Sequence, residues 1–306
     1  MANSEINKLI TDFLEYLEIE KNRSQKTIAN YDHYLRRFVE WAQLKDAQAI
    51  SEDLVRKYRL FLNRYVDQLG HNLKKNTQNY HIIAIRSFLK YLAKRDIKTL
   101  VAEKIELARQ SPREVEFLEE DELMRLLSAP TGDSFNESRD RAILETLFST
   151  GLRVSELCNL NRNSIDLNKG EFSVRGKGDK IRLVFLSDTA KKALKGYLGL
   201  RGDVDNALFI RQGKKLKQDD LRLTPRSIQR IIRYYAAKAG ITKKVTPHTL
   251  RHSFSTDLLR NGADIRSIQA LLGHASITTT QVYTHVSDQH LKEIHRLFHD
   301  KKRETS

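Results

Sequence analysis

Apolar residues recur every three or four positions through most of the first hundred residues. A chain patterned in this way buries them by folding as helices packed side by side. In EINKLITDFLEYLEIE, Leu9, Phe13, Leu14 and Leu17 share one helical face. KTIANYDHYLRRFVEWAQ repeats the pattern with Ile28, Tyr31, Leu35, Phe38 and Val39, and Ser24 stands where an N-cap belongs. A third helix is expected over EDLVRKYRLFLNRYVDQL, capped by Ser51. A fourth is expected to start at Thr77 and to carry Ile82, Ile85, Phe88, Leu89 and Leu92 inward. Only 4 Pro and 13 Gly punctuate the 306 residues, so the turns between helices should be short and the bundle compact.

The polar stretch ARQSPREVE, Ala108 to Glu116, contains a proline and reads as a linker. It separates an N-terminal domain, residues 1–107, from a C-terminal domain, residues 117–306. The second domain opens with a helix at FLEEDELMRLL and then changes period. Glu171 to Arg175 and Ile181 to Leu186 read as two short strands around the turn GKGDK, after which the helical pattern returns. The expected fold is therefore mainly α: a helical bundle, then a mostly helical domain carrying a small antiparallel β-sheet.

Charge narrows the partners. The chain has 54 Lys+Arg against 39 Asp+Glu, a net +15, and the excess falls in both halves. Such a surface attracts a polyanion, although a merely soluble basic protein would have the same balance. The single cysteine, Cys158, rules out an intrachain disulfide and fits a reducing compartment. The N-terminus MANSEINKLITDF lacks the apolar core of a signal peptide, and no apolar run is long enough to span a bilayer. A cytoplasmic protein without membrane insertion is expected.

Four segments carry candidate chemistry: STGLRVSEL, RGKGDKIR, TPHTLRHSFST and LLGHASITTTQVYTHV. Each has an ordinary explanation when taken alone. Arg153 follows Gly151, a glycine placed to cap the end of a helix, and would ordinarily be a surface arginine or the partner of Glu156 in a structural ion pair. Lys177 sits in a glycine-flanked turn where a lysine is usually just solvated. A nucleotide-binding P-loop fails there: five residues separate Gly170 from Gly176, and Gly178 replaces the required Ser/Thr. Thr246 and Pro247 begin a helix on which Leu250, Phe254 and Leu258 share a face and Arg251 lies at its edge. An arginine beside apolar packing is costly unless an anion meets it. His248 and His252 have the i, i+4 spacing of zinc ligands, but no third ligand is evident, and a metal is not expected. Asp264 opens a short helix ending at Gly273, His274 follows, and Tyr283 lies on the next helix, where a tyrosine is more often packed than catalytic.

Together the six residues make a set for metal-free phosphoryl transfer. Tyr283 supplies a nucleophile. Arg153 and Arg251 supply bidentate donors for the nonbridging oxygens of a pentacoordinate phosphorus. Lys177 supplies a proton for the leaving 5′-oxygen, His248 assists proton transfer at the tyrosine, and His274 hydrogen-bonds the phosphate.

These segments resemble the catalytic boxes of the tyrosine recombinase (lambda-integrase-type) family. Arg153 stands in GLRVSEL, Lys177 in GKGDK, His248 and Arg251 in PHTLRHSFST, His274 in LLGHASITTT and Tyr283 in QVYTHV. The N-terminal part is similar to the family's helical, SAM-like core-binding domain, and among subfamilies the chain looks most like the Xer recombinases. The resemblance implies a site-specific recombinase that cuts and rejoins double-stranded DNA through a 3′-phosphotyrosyl intermediate, needs no cofactor, and resolves chromosome dimers at cell division. It implies a tetramer, of this chain alone or with a paralogous recombinase, that clamps two sites, with a septal DNA translocase as a further partner. It also implies that the arm-binding domain of many phage integrases is lacking. A mobile-element integrase has the same chemistry, and so does a type IB topoisomerase-like relaxase. An inactive DNA-binding regulator would bind DNA without it.

Two further surfaces follow. The second and fourth helices are expected to read DNA, with Lys74, Lys75, Arg86 and Lys90 as candidate phosphate contacts, or else simply a solvated face. Ser287 begins a terminal helix whose Leu291, Ile294, Leu297 and Phe298 form an apolar stripe. Periodicity alone fits a helix folded back on its own domain, whereas the resemblance implies docking into a neighbouring subunit. The nucleophile is directly testable. Tyr283→Phe keeps the ring but loses the attacking oxygen, so it should bind DNA normally and form no covalent adduct on a nicked suicide substrate. An adduct formed by this variant would overturn the assignment.

Overall fold

The computed structural model describes residues 4–108, 117–176, 181–212 and 221–273. The chain divides into two compact units, Met1–Pro112 and Arg113–Ser306.

The first unit is built from α1 (Glu5–Ile19), α2 (Gln25–Ala42), α3 (Glu52–Arg64) and α4 (Lys75–Ala93), followed by a short 3₁₀ turn at Ala102–Lys104. Its core takes Ile6, Ile10, Phe13 and Leu17 from α1, so the buried stripe is turned slightly from the expected one and Leu9 and Leu14 flank it. The caps are where the sequence places them: Ser24 accepts from the Thr27 amide and Ser51 from the Leu54 amide, at 3.3 and 3.2 Å. The third helix is shorter than expected. It stops at Arg64, and Asp67 accepts from the backbone amides of Leu69 and His71 at 2.9 and 2.8 Å, giving them partners outside any helix. The fourth helix starts at Lys75 rather than Thr77 and is buried on more than one side. The expected linker, Ala108 to Glu116, lies outside the described residues beyond Ala108.

Inside this unit, Tyr58 Oη and His81 Nδ1 are hydrogen-bonded at 3.0 Å, with 0% and 1% of the two residues exposed. Trp41 packs on Tyr58 with ring centroids 5.1 Å apart.

The second unit contains α5 (Glu120–Ser128), α6 (Phe135–Thr150), α7 (Val154–Cys158), β1 (Glu171–Arg175), β2 (Ile181–Phe185), α8 (Asp188–Gly199), α9 (Pro225–Lys238), α10 (Pro247–Arg260) and α11 (Ile265–Leu272). The mainly α class with a small antiparallel sheet is therefore the observed one. α6 lies at the centre, with Ala142, Ile143, Leu144 and Leu147 buried and with α8 and α10 packed against it. β1 and β2 form an antiparallel hairpin in which Val174 faces Arg182 and Phe172 faces Val184. Phe172, Val174 and Val184 are buried, so one face of the hairpin covers the core. Residues 177–180 of its turn, and everything from His274 onward, including the expected terminal helix at Ser287, lie outside the described residues.

Gly151 ends α6 at φ +58°, and a Cβ there would stand 2.5 Å from Phe254 Cδ1. Both the left-handed turn and the close approach of α10 therefore require glycine.

Burial holds the His81 imidazole well below its ordinary value of 6.5, at about 4, with the nearby charges of Arg37 and His33 acting in the same direction. The unfolded imidazole takes its proton near the ordinary value and the folded one only near 4. Stability is thus fully present above the unfolded value and is lost as pH falls toward 4, by up to ~3 kcal/mol. Trp41 is the only tryptophan, so its fluorescence in the full chain reports on this unit. Urea midpoints followed in this way should fall as pH drops from about 6.5 to about 4.5, and His81→Gln should flatten that slope. Parallel slopes for the two proteins would contradict the assignment.

Candidate active site

The short loop after α6 and the start of α7 set the position of Arg153. Its backbone is extended (φ −70°, ψ 148°), and the next residue enters α7. Glu156, one turn into α7, accepts the Arg153 backbone N–H at 2.9 Å and its Nη1 at 2.8 Å. The ion pair that offered an ordinary explanation for Arg153 is therefore present. About a third of the Arg153 side chain, 32%, stays exposed, against 6% for Glu156.

Glu156 has a second cation. Arg182, from the inward face of β2, donates Nη2 to Oε2 at 2.6 Å and Nη1 to Oε1 at 3.1 Å. Burial pushes the Glu156 carboxyl up, and the hydrogen bonds from Arg182 and Arg153 outweigh it, leaving the group below the usual carboxylate range.

Arg251 lies on α10 with 3% of the residue exposed. Backbone carbonyls surround it: Nη1 donates to Gly151 O at 2.6 Å and Nη2 to Leu272 O at 2.7 Å. Burial of this cation beside Leu250 and Phe254 is thus offset by the two helix ends it bridges. His248, one turn earlier, is exposed, and its ring stacks on that of His252 with centroids 5.5 Å apart and 17° between planes. Burial, then the charges of His248 and Arg251, lower the His252 pKa to about 4, so this ring is neutral near pH 7.

The three arginines meet at the end of α11. Arg182 Nε donates to Leu271 O at 3.1 Å, Arg251 to Leu272 O at 2.7 Å, and Arg153 Nη2 to Gly273 O at 3.4 Å. Consecutive carbonyls at a helix C-terminus are unpaired within the helix and carry its negative dipole end, so they draw cations. His274 is the next residue in the chain. The structure thus brings Arg153 and Arg251 together and sets His248 one turn away on the same helix as Arg251. Lys177, His274 and Tyr283 lie outside the described residues. Glu156 is legible in the sequence only as a partner for Arg153, and sequence reasoning misses Arg182. The available signal is strand alternation, which turns Arg182 to the same face as buried Val184.

In the first unit, Lys74 and Lys75 are exposed at the start of α4, Arg86 is half-buried, and Lys90 lies 3.1 Å from Glu103. Sequence reasoning also misses Arg56 and Arg59 of α3, which with Lys75, Asn76 and Gln78 line a cleft of about 700 Å³. Arg56 is paired with Asp53 at 2.7 Å.

Comparison with known proteins bears on both units. The phage integrase family matches residues 116–290, and the phage integrase N-terminal SAM-like domain matches residues 10–96. The chain is 38% identical over 303 residues to the tyrosine recombinase XerC of Thermodesulfovibrio yellowstonii, with 95% of each chain covered. The chain belongs to the phage integrase family. It is a tyrosine recombinase of the Xer type, an enzyme of DNA strand transesterification. A second relative is the tyrosine recombinase XerD of Oceanobacillus iheyensis, 37% identical with 95% of this chain and 97% of the relative covered. Among solved structures, the XerH site-specific recombinase bound to palindromic difH in a post-cleavage complex shares the fold. The TM-score is 0.67, with 24% identity, 93% of this chain covered and 83% of that one.

The two clamp candidates of this recombinase should respond differently to truncation. Arg251→Ala strands two helix-end carbonyls in a buried site and should cost about 3 kcal/mol in urea unfolding followed by circular dichroism. Arg153→Ala leaves Glu156 paired with Arg182 and should cost less than about 1 kcal/mol. Equal losses would show that the contacts are not distributed as described.

Proposed function

We propose that this recombinase cuts and rejoins DNA with Tyr283 as nucleophile, Arg153 and Arg251 as the phosphate clamp and Lys177 as the acid for the leaving group. His248 assists proton transfer and His274 binds the phosphate. The observation that carries this reading is the convergence of Arg153 and Arg251, from different elements, on adjacent carbonyls at 3.4 and 2.7 Å. Two guanidinium groups held so close together suit a single anion with two nonbridging oxygens.

In the proposed reaction, a bond forms between Tyr283 Oη and phosphorus while the bond from phosphorus to the 5′-oxygen breaks. The tyrosine proton passes to His248, and Lys177 protonates the departing 5′-oxygen. A 3′-phosphotyrosyl ester and a free 5′-hydroxyl result. Attack by a 5′-hydroxyl of the partner strand reverses the step. One phosphodiester is exchanged for another, so the balance closes without ATP.

The substrate is double-stranded DNA, a reading supported by the net charge of +15 and by the DNA-bound neighbour of the same fold. Lys74, Lys75 and Arg86 are proposed phosphate contacts, and Lys90 is a weaker one because Glu103 competes for it. Two domains, 1–107 and 117–306, would clamp each half-site. The similarity to relatives named XerC and XerD supports resolution of chromosome dimers at cell division as the cellular role. A tetramer formed alone or with a paralogue, and a septal DNA translocase as a further partner, belong to the same proposal. Among the described residues no helix is long and apolar enough to cross a membrane, and a cytoplasmic site of action is proposed.

Recovering genomic DNA covalently attached to the protein tests role and chemistry together. One chromosomal site should dominate; recovery at the ends of a mobile element would replace dimer resolution by integration. On the recovered site, Arg153→Ala should slow cleavage by about a hundredfold or more, with far less effect on binding. Cleavage within about threefold of wild type would remove Arg153 from the clamp.

A further inference from the structure

Arg182 has no place in that chemistry, yet it is more deeply held than Arg153. Only 9% of its side chain is exposed. Its three contacts run in two directions: Nη1 and Nη2 grip both oxygens of Glu156, at 3.1 and 2.6 Å, and Nε donates to Leu271 O at 3.1 Å. The packing is close, since a Cβ on Gly273 would stand 3.0 Å from Arg182 Cδ. Arg182 is also the second residue of β2, five positions after Lys177 in the chain.

Charge decides what this arrangement does. Glu156 and Arg153 alone would form a neutral pair, and an approaching phosphate would meet a guanidinium whose charge is already cancelled. With Arg182 on the same carboxylate, the three groups carry one net positive charge, and the exposed cation among them is Arg153. The fork geometry matters as well as the charge, because a planar guanidinium can grip both carboxylate oxygens while its Nε reaches a carbonyl.

We propose that Arg182 is a positioning residue for strand cleavage: it neutralises Glu156 so that Arg153 keeps its charge for the scissile phosphate, and it fixes the end of α11 from which the chain continues to His274 and Tyr283. The inference rests on the reading of Arg153 as a phosphate clamp. Arg182 acts through Glu156, Arg153 and α11 and does not touch the phosphate.

The test is single-turnover cleavage by the full-length protein on a nicked duplex carrying the site recovered by covalent capture, with binding to the same duplex measured by gel shift. Arg182→Gln should slow cleavage at saturating DNA by about thirtyfold or more and change affinity by less than about threefold. Glu156→Gln combined with Arg182→Gln should cleave at least about fivefold faster than Arg182→Gln alone, because the uncompensated carboxylate is gone. A merely structural role would make the double variant as slow as the single one or slower. Arg182→Lys keeps the charge but not the fork and should lie between wild type and Arg182→Gln. If circular dichroism shows Arg182→Gln unfolded, Arg182→Lys carries the test, with at least about a fivefold slowing expected. Cleavage by the folded variant within about twofold of wild type would overturn the inference, as would a double variant no faster than Arg182→Gln. Arg153→Ala run alongside separates the two readings. Normal cleavage by that variant overturns the clamp and this inference together. A slow Arg153→Ala beside a fast Arg182→Gln overturns this inference alone.

Discussion

Glu156 places a carboxylate where only 6% of its side chain reaches water, on a helix of five residues. A helix so short has no stability of its own, and a buried carboxylate is costly unless donors saturate it. Four hydrogen bonds from two arginines do so, including the backbone N–H that opens α7. The loop after α6, the start of α7, strand β2 and the end of α11 are all tied to that one group, directly or through Arg182. Its loss would weaken these ties together, so its energetics belong to the group rather than to a single pair.

Around this pair, arginines do the work that capping side chains do elsewhere. Gly151 O closes α6 and Leu272 O closes α11, and Arg251 bridges them with 3% of the residue exposed. The same guanidinium groups that suit a phosphate therefore hold the unpaired ends of helices. In the proposed reaction, the residues that hold the helix ends would also bind the phosphate. Arg153 keeps 32% of its side chain exposed, which leaves it more open to an outside anion than Glu156 at 6%.

Much of this organisation is legible in the sequence, for identifiable reasons. Helical periodicity locates the elements, and Ser24, Ser51, Thr246 and Asp264 cap them as expected because a side-chain oxygen before an apolar run has few other uses. Periodicity extends the third helix too far because Val66 and Leu69 continue the apolar pattern. The pattern does not show that both are exposed, at 51% and 80%, nor that Asp67 draws the backbone into a turn. Motifs single out Arg153, His248 and Arg251, and the structure brings Arg153 and Arg251 to adjacent carbonyls with His248 on the same helix as Arg251. No motif singles out Arg182, because its role depends on a pairing between a strand and a helix 26 residues apart, and local sequence carries no sign of which partner a buried cation meets.

The end of α11 has a consequence for how chains like this one change length. Between Asp264 and Gly273 lie eight helical residues, and each advances the helix by about 100° and about 1.5 Å. A single inserted or deleted residue would swing the carbonyls of Leu271, Leu272 and Gly273 away from their three donors, so this segment should not tolerate indels. The turn between Val66 and Asn72, exposed at Leu69 and held only by hydrogen bonds within itself, has no helical phase to keep, and length variation should collect there.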